Sequence, residues 1–136
     1  MVETFINYLQ ENNVKITPKR RAIIEFFEQE ERCVTPETVW KGLKQKFSHC
    51  GLPSVYRNLE LFEKCGILTK IQKEDQRMYY ALTESNGTHN RAYAVCVKCH
   101  KVVALTVEEM PEQLPAANFR VSKKVLHIEG LCSDCQ

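Results

Sequence analysis

Two cysteine pairs with the same internal spacing, Cys96-Val97-Lys98-Cys99 and Cys132-Ser133-Asp134-Cys135, constrain this chain more than any other feature. A CxxC turn places two sulfurs on one side of a metal, and tetrahedral zinc takes four thiolates at about 2.3 Å. The pairs predict one closed, structural Zn2+ site built from Cys96, Cys99, Cys132 and Cys135. Between Cys99 and Cys132 lie 32 residues, a longer gap than a compact zinc ribbon uses. It suits a strand–helix–strand excursion whose ends return to one point. The second pair stands at the end of the sequence, where a chain frays unless it is tied down.

Two other chemistries use the same spacing. A thioredoxin-type dithiol needs a helix opening on the pair, whereas Val102, Val103 and Leu105 continue as strand. Cys96 to His100 also spells the C-x-x-C-H pattern of c-type haem attachment, which requires export. Met1 to Phe5 shows no basic stretch leading into an apolar one, so no signal peptide and a cytoplasmic location are expected. In a reducing compartment metal binding explains cysteines better than disulfides do. No apolar run approaches the ~18 residues of a membrane span, so no membrane partner is expected. His100 reads as a turn residue. Cys33, Cys50 and Cys65 read as small buried hydrophobes, with Cys33, beside Glu30, Glu31 and Arg32, the most exposed of the three.

The rest of the pattern is helical at first. Val2, Phe5, Ile6 and Leu9 predict a helix over 2–11. Thr17-Pro18 and Thr35-Pro36 each pair an N-cap with proline at the first helical position. The apolar stripes Ala22, Ile23, Phe26, Phe27 and Val39, Trp40, Leu43, Phe47 follow them. Gly51-Leu52-Pro53 starts a fourth helix with Val55, Leu59 and Phe62 inward, and Gly66 is suited to end it. Ser54, Tyr56, Arg57 and Glu60 remain on its outer face. Two extended runs, 67–73 and 77–82, then read as a β-hairpin. Helices, a last helix with an exposed polar face, then a hairpin: this is the order of a winged helix-turn-helix.

Residues 83–90 are polar and read as a linker. Beyond it, 92–95, 101–106 and 121–129 read as strands and 108–117 as a short helix. The expected fold is α+β. A winged helix-turn-helix over 1–82 and a hinge over 83–91 precede a small α/β dimerisation domain over 92–136, closed on the zinc site. With 136 residues, two units of this size are very small.

Bulk charge says little, since the formal net charge is +2. The slight basic excess sits in residues 1–82, with 13 Lys and Arg against 11 Asp and Glu. Clustering says more. A recognition helix meets base edges through its first turns, where Ser54, Tyr56 and Arg57 stand. Arg57 can pair with guanine O6 and N7, and Tyr56 can meet thymine methyls. Lys15, Lys19, Arg20 and Arg21 sit where phosphate contacts are expected. A solvated basic face is the bland reading of such a cluster; the helix order and the hairpin favour double-stranded DNA.

The combination resembles the ferric uptake regulator (Fur) family. Thr17-Pro18-Lys19-Arg20 looks like its second-helix start, residues 53–68 like its recognition helix, and residues 96–102 and 128–135 like its two zinc knuckles. The resemblance implies a homodimer on a palindromic operator, repressing metal-homeostasis or peroxide-defence genes. It also implies that Lys15 reaches the minor groove while Tyr56 and Arg57 read the major groove. The chain departs from the family's regulatory metal site. Arg91 and Tyr93 stand where histidines are usual, Ala104 where an acidic ligand is, and Lys124 and, by a looser alignment, Cys33 where further histidines are. A rebuilt metal or thiol switch would draw on His89 and Cys33, with His127, Glu108 and Glu112 nearby.

Three readings follow: a metal-gated repressor, a zinc-stabilised regulator that ignores metal or answers through a thiol, and a zinc-dependent interaction module. An enzyme is not expected, because a closed four-thiolate zinc leaves no open coordination position.

Overall fold

The computed structural model describes residues 2–82, 91–105, 113–114, 117–121 and 124–136. Four helices come first: α1 (Val2–Glu11), α2 (Pro18–Gln29), α3 (Pro36–Lys44) and α4 (Leu52–Lys64). The capping signals act as read. Thr17 Oγ1 accepts from the Arg20 amide at 3.2 Å and Thr35 Oγ1 from the Thr38 amide at 3.3 Å. Each satisfies an amide that the first helical turn leaves without a partner. Helix α4 ends in a Schellman turn: Gly66 takes φ 86°, and the amides of Gly66 and Ile67 donate to the carbonyls of Glu63 and Phe62.

The inward faces of these helices share one apolar core. Leu9, Ile23, Phe27, Val39, Val55, Leu59 and Phe62 are buried in it. The hairpin β1 (Leu68–Gln72) and β2 (Met78–Leu82) follows α4, antiparallel, with Leu68 opposite Leu82 and Gln72 opposite Met78. Ile67, Leu68 and Tyr80 carry the hairpin into the same core. Burial pushes the Tyr80 phenol up to about 12. The hairpin tip is held by Asp75, whose carboxylate accepts from the Arg77 amide at 2.9 Å and the Tyr79 hydroxyl at 2.7 Å.

The C-terminal part is a three-stranded sheet ordered β4-β3-β7, from β3 (Arg91–Cys96), β4 (Val102–Ala104) and β7 (Val125–Gly130). Strand β4 is antiparallel to β3, while β7 is parallel to it, with Arg91 opposite Val125 and Cys96 opposite Gly130. Two further strands, β5 (Gln113–Leu114) and β6 (Phe119–Arg120), pair antiparallel across a turn in which Asn118 takes φ 50°. This corrects the helix read over 108–117. Gln113 and Leu114 lie between Pro111 and Pro115, and proline disfavours helical backbone in the residue before it. Residues 108–112 and 115–116 of that expectation lie outside the described residues. Strand β7 begins at Val125 rather than at 121.

The two parts meet along a seam that no periodicity in the sequence signals. Residues 31–34 run as an extended bridge between them. The Val34 and Tyr80 main chains exchange hydrogen bonds of 2.9 and 2.8 Å on the hairpin side. On the other side the Cys33 amide donates to the His100 carbonyl at 2.9 Å and the Val102 amide to the Glu31 carbonyl at 3.0 Å. A second buried cluster, of Cys33, Ile71, Tyr79, Ala81, Tyr93 and Val95, fills the space between hairpin and sheet.

Candidate metal centre and nucleic-acid interface

The parallel register of β3 and β7 builds the metal centre. Because Cys96 stands opposite Gly130, both CxxC turns leave the sheet at the same end. The Val97 amide donates to the Gly130 carbonyl at 2.9 Å and fixes that end. The sulfurs of Cys96, Cys99, Cys132 and Cys135 all lie within 4.8 Å of one another, and those of Cys99 and Cys132 are 3.6 Å apart. Four sulfurs at about 2.3 Å from a tetrahedral ion stand about 3.8 Å apart, so the cluster has the dimensions of a four-thiolate zinc site. Its acidities point the same way. The amide of Cys99, and then that of Cys132, aim N–H groups at Cys96 and pull its thiol down to about 5. Cys135 is pushed up to about 12, first by its hydrogen bond with Cys132. Thiolates packed this closely repel one another, and a divalent cation relieves the conflict while displacing the protons. The four residues fit a structural zinc.

His100 closes the first knuckle with φ 69°, and its amide donates to the Cys96 carbonyl at 3.0 Å. It is the turn residue the sequence suggested, with a second role. Its ring stacks on Tyr79 with centroids 5.7 Å apart, and its Nδ1 accepts from the Lys73 ammonium. Lys73 also lies 4.6 Å from the centre of the Tyr79 ring and faces the Cys33 thiol. Cys33 is therefore the most buried of the three unpaired cysteines, not the most exposed as its charged neighbours suggest. It is 3% exposed, because Glu31 and Arg32 point out of the bridge while Cys33 and Val34 turn into the seam. Burial raises its thiol above the ordinary value, and the Lys73 ammonium opposes that in part. Tyr93 is 3% exposed. Its hydroxyl lies 3.0 Å from His127 Nδ1, and His127 Nε2 faces Glu129 Oε1 at 2.9 Å. His89 lies outside the described residues, as do Glu108 and Glu112.

The second candidate surface is the outer face of α4 with the loop before α2. Tyr56 and Arg57 are exposed and Ser54 is half-buried. The Tyr56 hydroxyl donates to Glu37 Oε1 at 2.8 Å, which holds the Glu37 carboxyl below and the Tyr56 phenol above their usual values. The ring is thus propped against α3. Lys15 is exposed, and Lys19 donates through Nζ to the His49 carbonyl at 2.9 Å. Arg20 donates through Nε to Asn58 Oδ1 at 3.0 Å and through Nη1 to the Lys15 carbonyl at 2.6 Å. Arg21 pairs with Glu3 on α1 at 2.6 Å and with Glu25 on its own helix at 3.1 Å. The sequence reading missed Glu37, Asn58 and Lys73. Asn58 had a signal: it lies four residues after Ser54 on the same helix, and its Nδ2 donates to the Ser54 carbonyl.

Comparison with known proteins gives a consistent picture. The sequence model of the ferric uptake regulator family matches residues 11–135. The chain is 31% identical to the peroxide operon regulator of Bacillus subtilis (strain 168), covering 93% of this chain and 88% of that protein. It is also 31% identical to the ferric uptake regulation protein of Neisseria gonorrhoeae, covering 99% and 96%. Among solved structures, a zinc uptake regulator complexed with zinc and DNA superposes with a TM-score of 0.79 at 19% identity, over 98% of this chain and 91% of that one. Its likeness is one of fold. Among the described residues no helix is long and apolar enough to cross a membrane.

Proposed function

Because the chain belongs to the ferric uptake regulator family, we propose that it is a dimeric, sequence-specific DNA-binding repressor of transcription, closed at its C-terminal end by a structural zinc. The observation that carries this reading is the outer face of α4. Its first turns present Tyr56 and Arg57 to solvent, and Lys15 is exposed on the loop before α2. An aromatic ring and a guanidinium suit the base edges that a recognition helix meets, and the lysines, Lys15 and Lys19, suit phosphates. The protein acts by binding. Four thiolates fill every position of a tetrahedral ion, whereas a catalytic zinc keeps one position open. It works in the cytosol, where reduced thiols remain available to the metal.

Strand β7 supports the dimer. Among the described residues it is an edge strand of its sheet, and Val125, Leu126, Ile128 and Leu131 on it and just beyond it are exposed apolar side chains. An open strand edge flanked by apolar residues is a template for association. A two-fold dimer carries two α4 helices and calls for a palindromic operator.

Within the family reading, the seam favours a regulator that a divalent metal does not gate. Lys73 puts an ammonium group between hairpin, bridge and knuckle, facing the buried Cys33, and Tyr93 is buried in the same cluster as Cys33.

The experiment is selection of duplexes from a random pool by the purified zinc-loaded protein, followed by footprinting. A palindromic consensus protected on both half-sites is the expected result. Recovery of no consensus, with binding that depends on salt alone, overturns the reading.

A further inference from the structure

Arg20 makes more contacts within the protein than a phosphate-binding side chain on a basic surface needs. Guanidinium presents five N–H donors in a rigid fork and has no acceptor. Two of its nitrogens are already committed here, Nε to Asn58 Oδ1 at 3.0 Å and Nη1 to the Lys15 carbonyl at 2.6 Å. The backbone of Arg20 is fixed as well, since its amide is the one that caps on Thr17 Oγ1. Asn58 is held at both ends of its amide, by Arg20 at Oδ1 and by the Ser54 carbonyl at Nδ2. A continuous relay therefore runs from the Lys15 backbone through Arg20 and Asn58 to the backbone of Ser54, in the first turn of α4.

The two ends of the relay are the two parts of the surface assigned above to DNA. The loop carrying Lys15 lies between α1 and α2, and α4 begins 37 residues later in the sequence. Nothing covalent fixes their separation locally. On a duplex, a base-reading helix and a flanking cation must meet different groups at a set distance, and small misplacements of positioned groups are costly.

We propose that Arg20 is a positioning residue which, with Asn58, sets the distance between the Lys15 loop and the base-facing turns of α4, and so sets sequence discrimination rather than phosphate affinity. The inference rests on the DNA-binding reading. It gives Arg20 a different role from Lys19, whose Nζ donates to the His49 carbonyl among the described residues. Lysine cannot take over the role, because one nitrogen cannot span both acceptors with the fork geometry.

The test uses the full zinc-loaded chain, with a duplex selected by the wild type and a random duplex of equal length, each titrated over a salt series. Arg20→Ala and Asn58→Ala should each weaken binding to the selected duplex about tenfold or more, the order expected for a lost hydrogen bond to a charged group. Binding to the random duplex should change little. The double variant should lose no more than the weaker-binding single one, because the two residues act as one unit. The salt slope should match the wild type, and Arg20→Lys should not restore discrimination.

Equal losses on both duplexes with a slope reduced by about 0.9, the signature of one phosphate contact, would overturn the inference. So would full rescue by Arg20→Lys or additive losses. If Arg20→Ala does not fold, Asn58→Ala carries the same test through the ratio of selected to random affinity. A wild type that selects no duplex overturns the DNA-binding reading itself, which is a distinguishable result.

Discussion

The main-chain amide of Cys33 donates to the carbonyl of His100 across 2.9 Å. That one bond joins the segment before α3 to the residue that closes the first zinc knuckle. His100 in turn donates its amide to the Cys96 carbonyl. The metal centre is thus two hydrogen bonds away from the helical domain, and disturbing one should disturb how the other is held.

Replacing Cys96 or Cys135 by Ser should abolish zinc binding and much of the stability of the C-terminal sheet. Structural zinc contributes on the order of 10–16 kcal/mol in small peptide domains, more than a sheet of this size can replace. Zinc content per chain, thermal melting and sedimentation should show loss of metal, a lower transition and loss of the dimer together. A Cys96→Ser protein that remains a folded dimer with unchanged melting would remove the zinc assignment.

Arg57→Ala should cost about 1–3 kcal/mol on a selected duplex and relax preference at one base position. Lys19→Ala should instead weaken binding on every sequence and lower the salt slope by about 0.9. Competition titrations on cognate and random duplexes separate the two. Equal losses for Arg57→Ala on both would place base reading elsewhere than α4.

Cys33 should be the slow thiol. It is 3% exposed and its thiol is held above the ordinary value by burial. A raised value means less thiolate at neutral pH, and thiolate is the reacting species. Timed alkylation followed by mass spectrometry should label half-buried Cys50 first, with Cys33 labelled promptly only after denaturation. Early labelling of Cys33 in the native protein would restore it as a candidate thiol switch.

Much of the fold was legible because it rests on local signals. Thr17 and Thr35 cap as read, Val55, Leu59 and Phe62 face the core, and Gly66 ends α4 with a positive φ. The four-cysteine cluster was legible for a different reason: residue type and spacing alone encode it. Cys33 is buried, as a small hydrophobe should be, but its rank as the most exposed of the unpaired cysteines fails because flanking charges suggest an exposed loop. Its burial depends on main-chain bonds from the bridge, Val34 to Tyr80 and Cys33 to His100, and those distant partners carry no pattern in the sequence. The helix expected over 108–117 gives way to strand at Gln113 and Leu114, which Pro111 and Pro115 flank. On the DNA-facing side the charges were visible. What they do was not: Arg21 turns to Glu3, and Arg20 to Asn58.

The last prediction concerns metal gating. An effector shifts a two-state equilibrium only by its difference in affinity for the two states. A metal that fixed the relative placement of the two parts would have to bind in or near the seam. There the places at issue hold side chains of another kind. Ala104 has no ligand atom. Tyr93 is buried, with its hydroxyl engaged by His127. Lys73 brings its own positive charge to Cys33 and His100, and a divalent ion placed beside it would meet like-charge repulsion at low local dielectric. Ile71, Tyr79, Ala81, Tyr93 and Val95 fill the seam as a buried apolar cluster. Added Fe2+, Mn2+ or Zn2+ should therefore change operator affinity by less than ~5-fold, about 1 kcal/mol and at the floor of ordinary allosteric coupling. The measurement is a DNA titration under reducing conditions, with the structural zinc retained, with and without each ion. A tenfold or larger effect of one ion, lost in His89→Ala, would show that a regulatory site has been rebuilt around His89. Lys73→Ala supplies the complementary arm. If the lysine holds the seam as an internal cation, its removal should weaken DNA binding with no metal added, and added metal should not restore it.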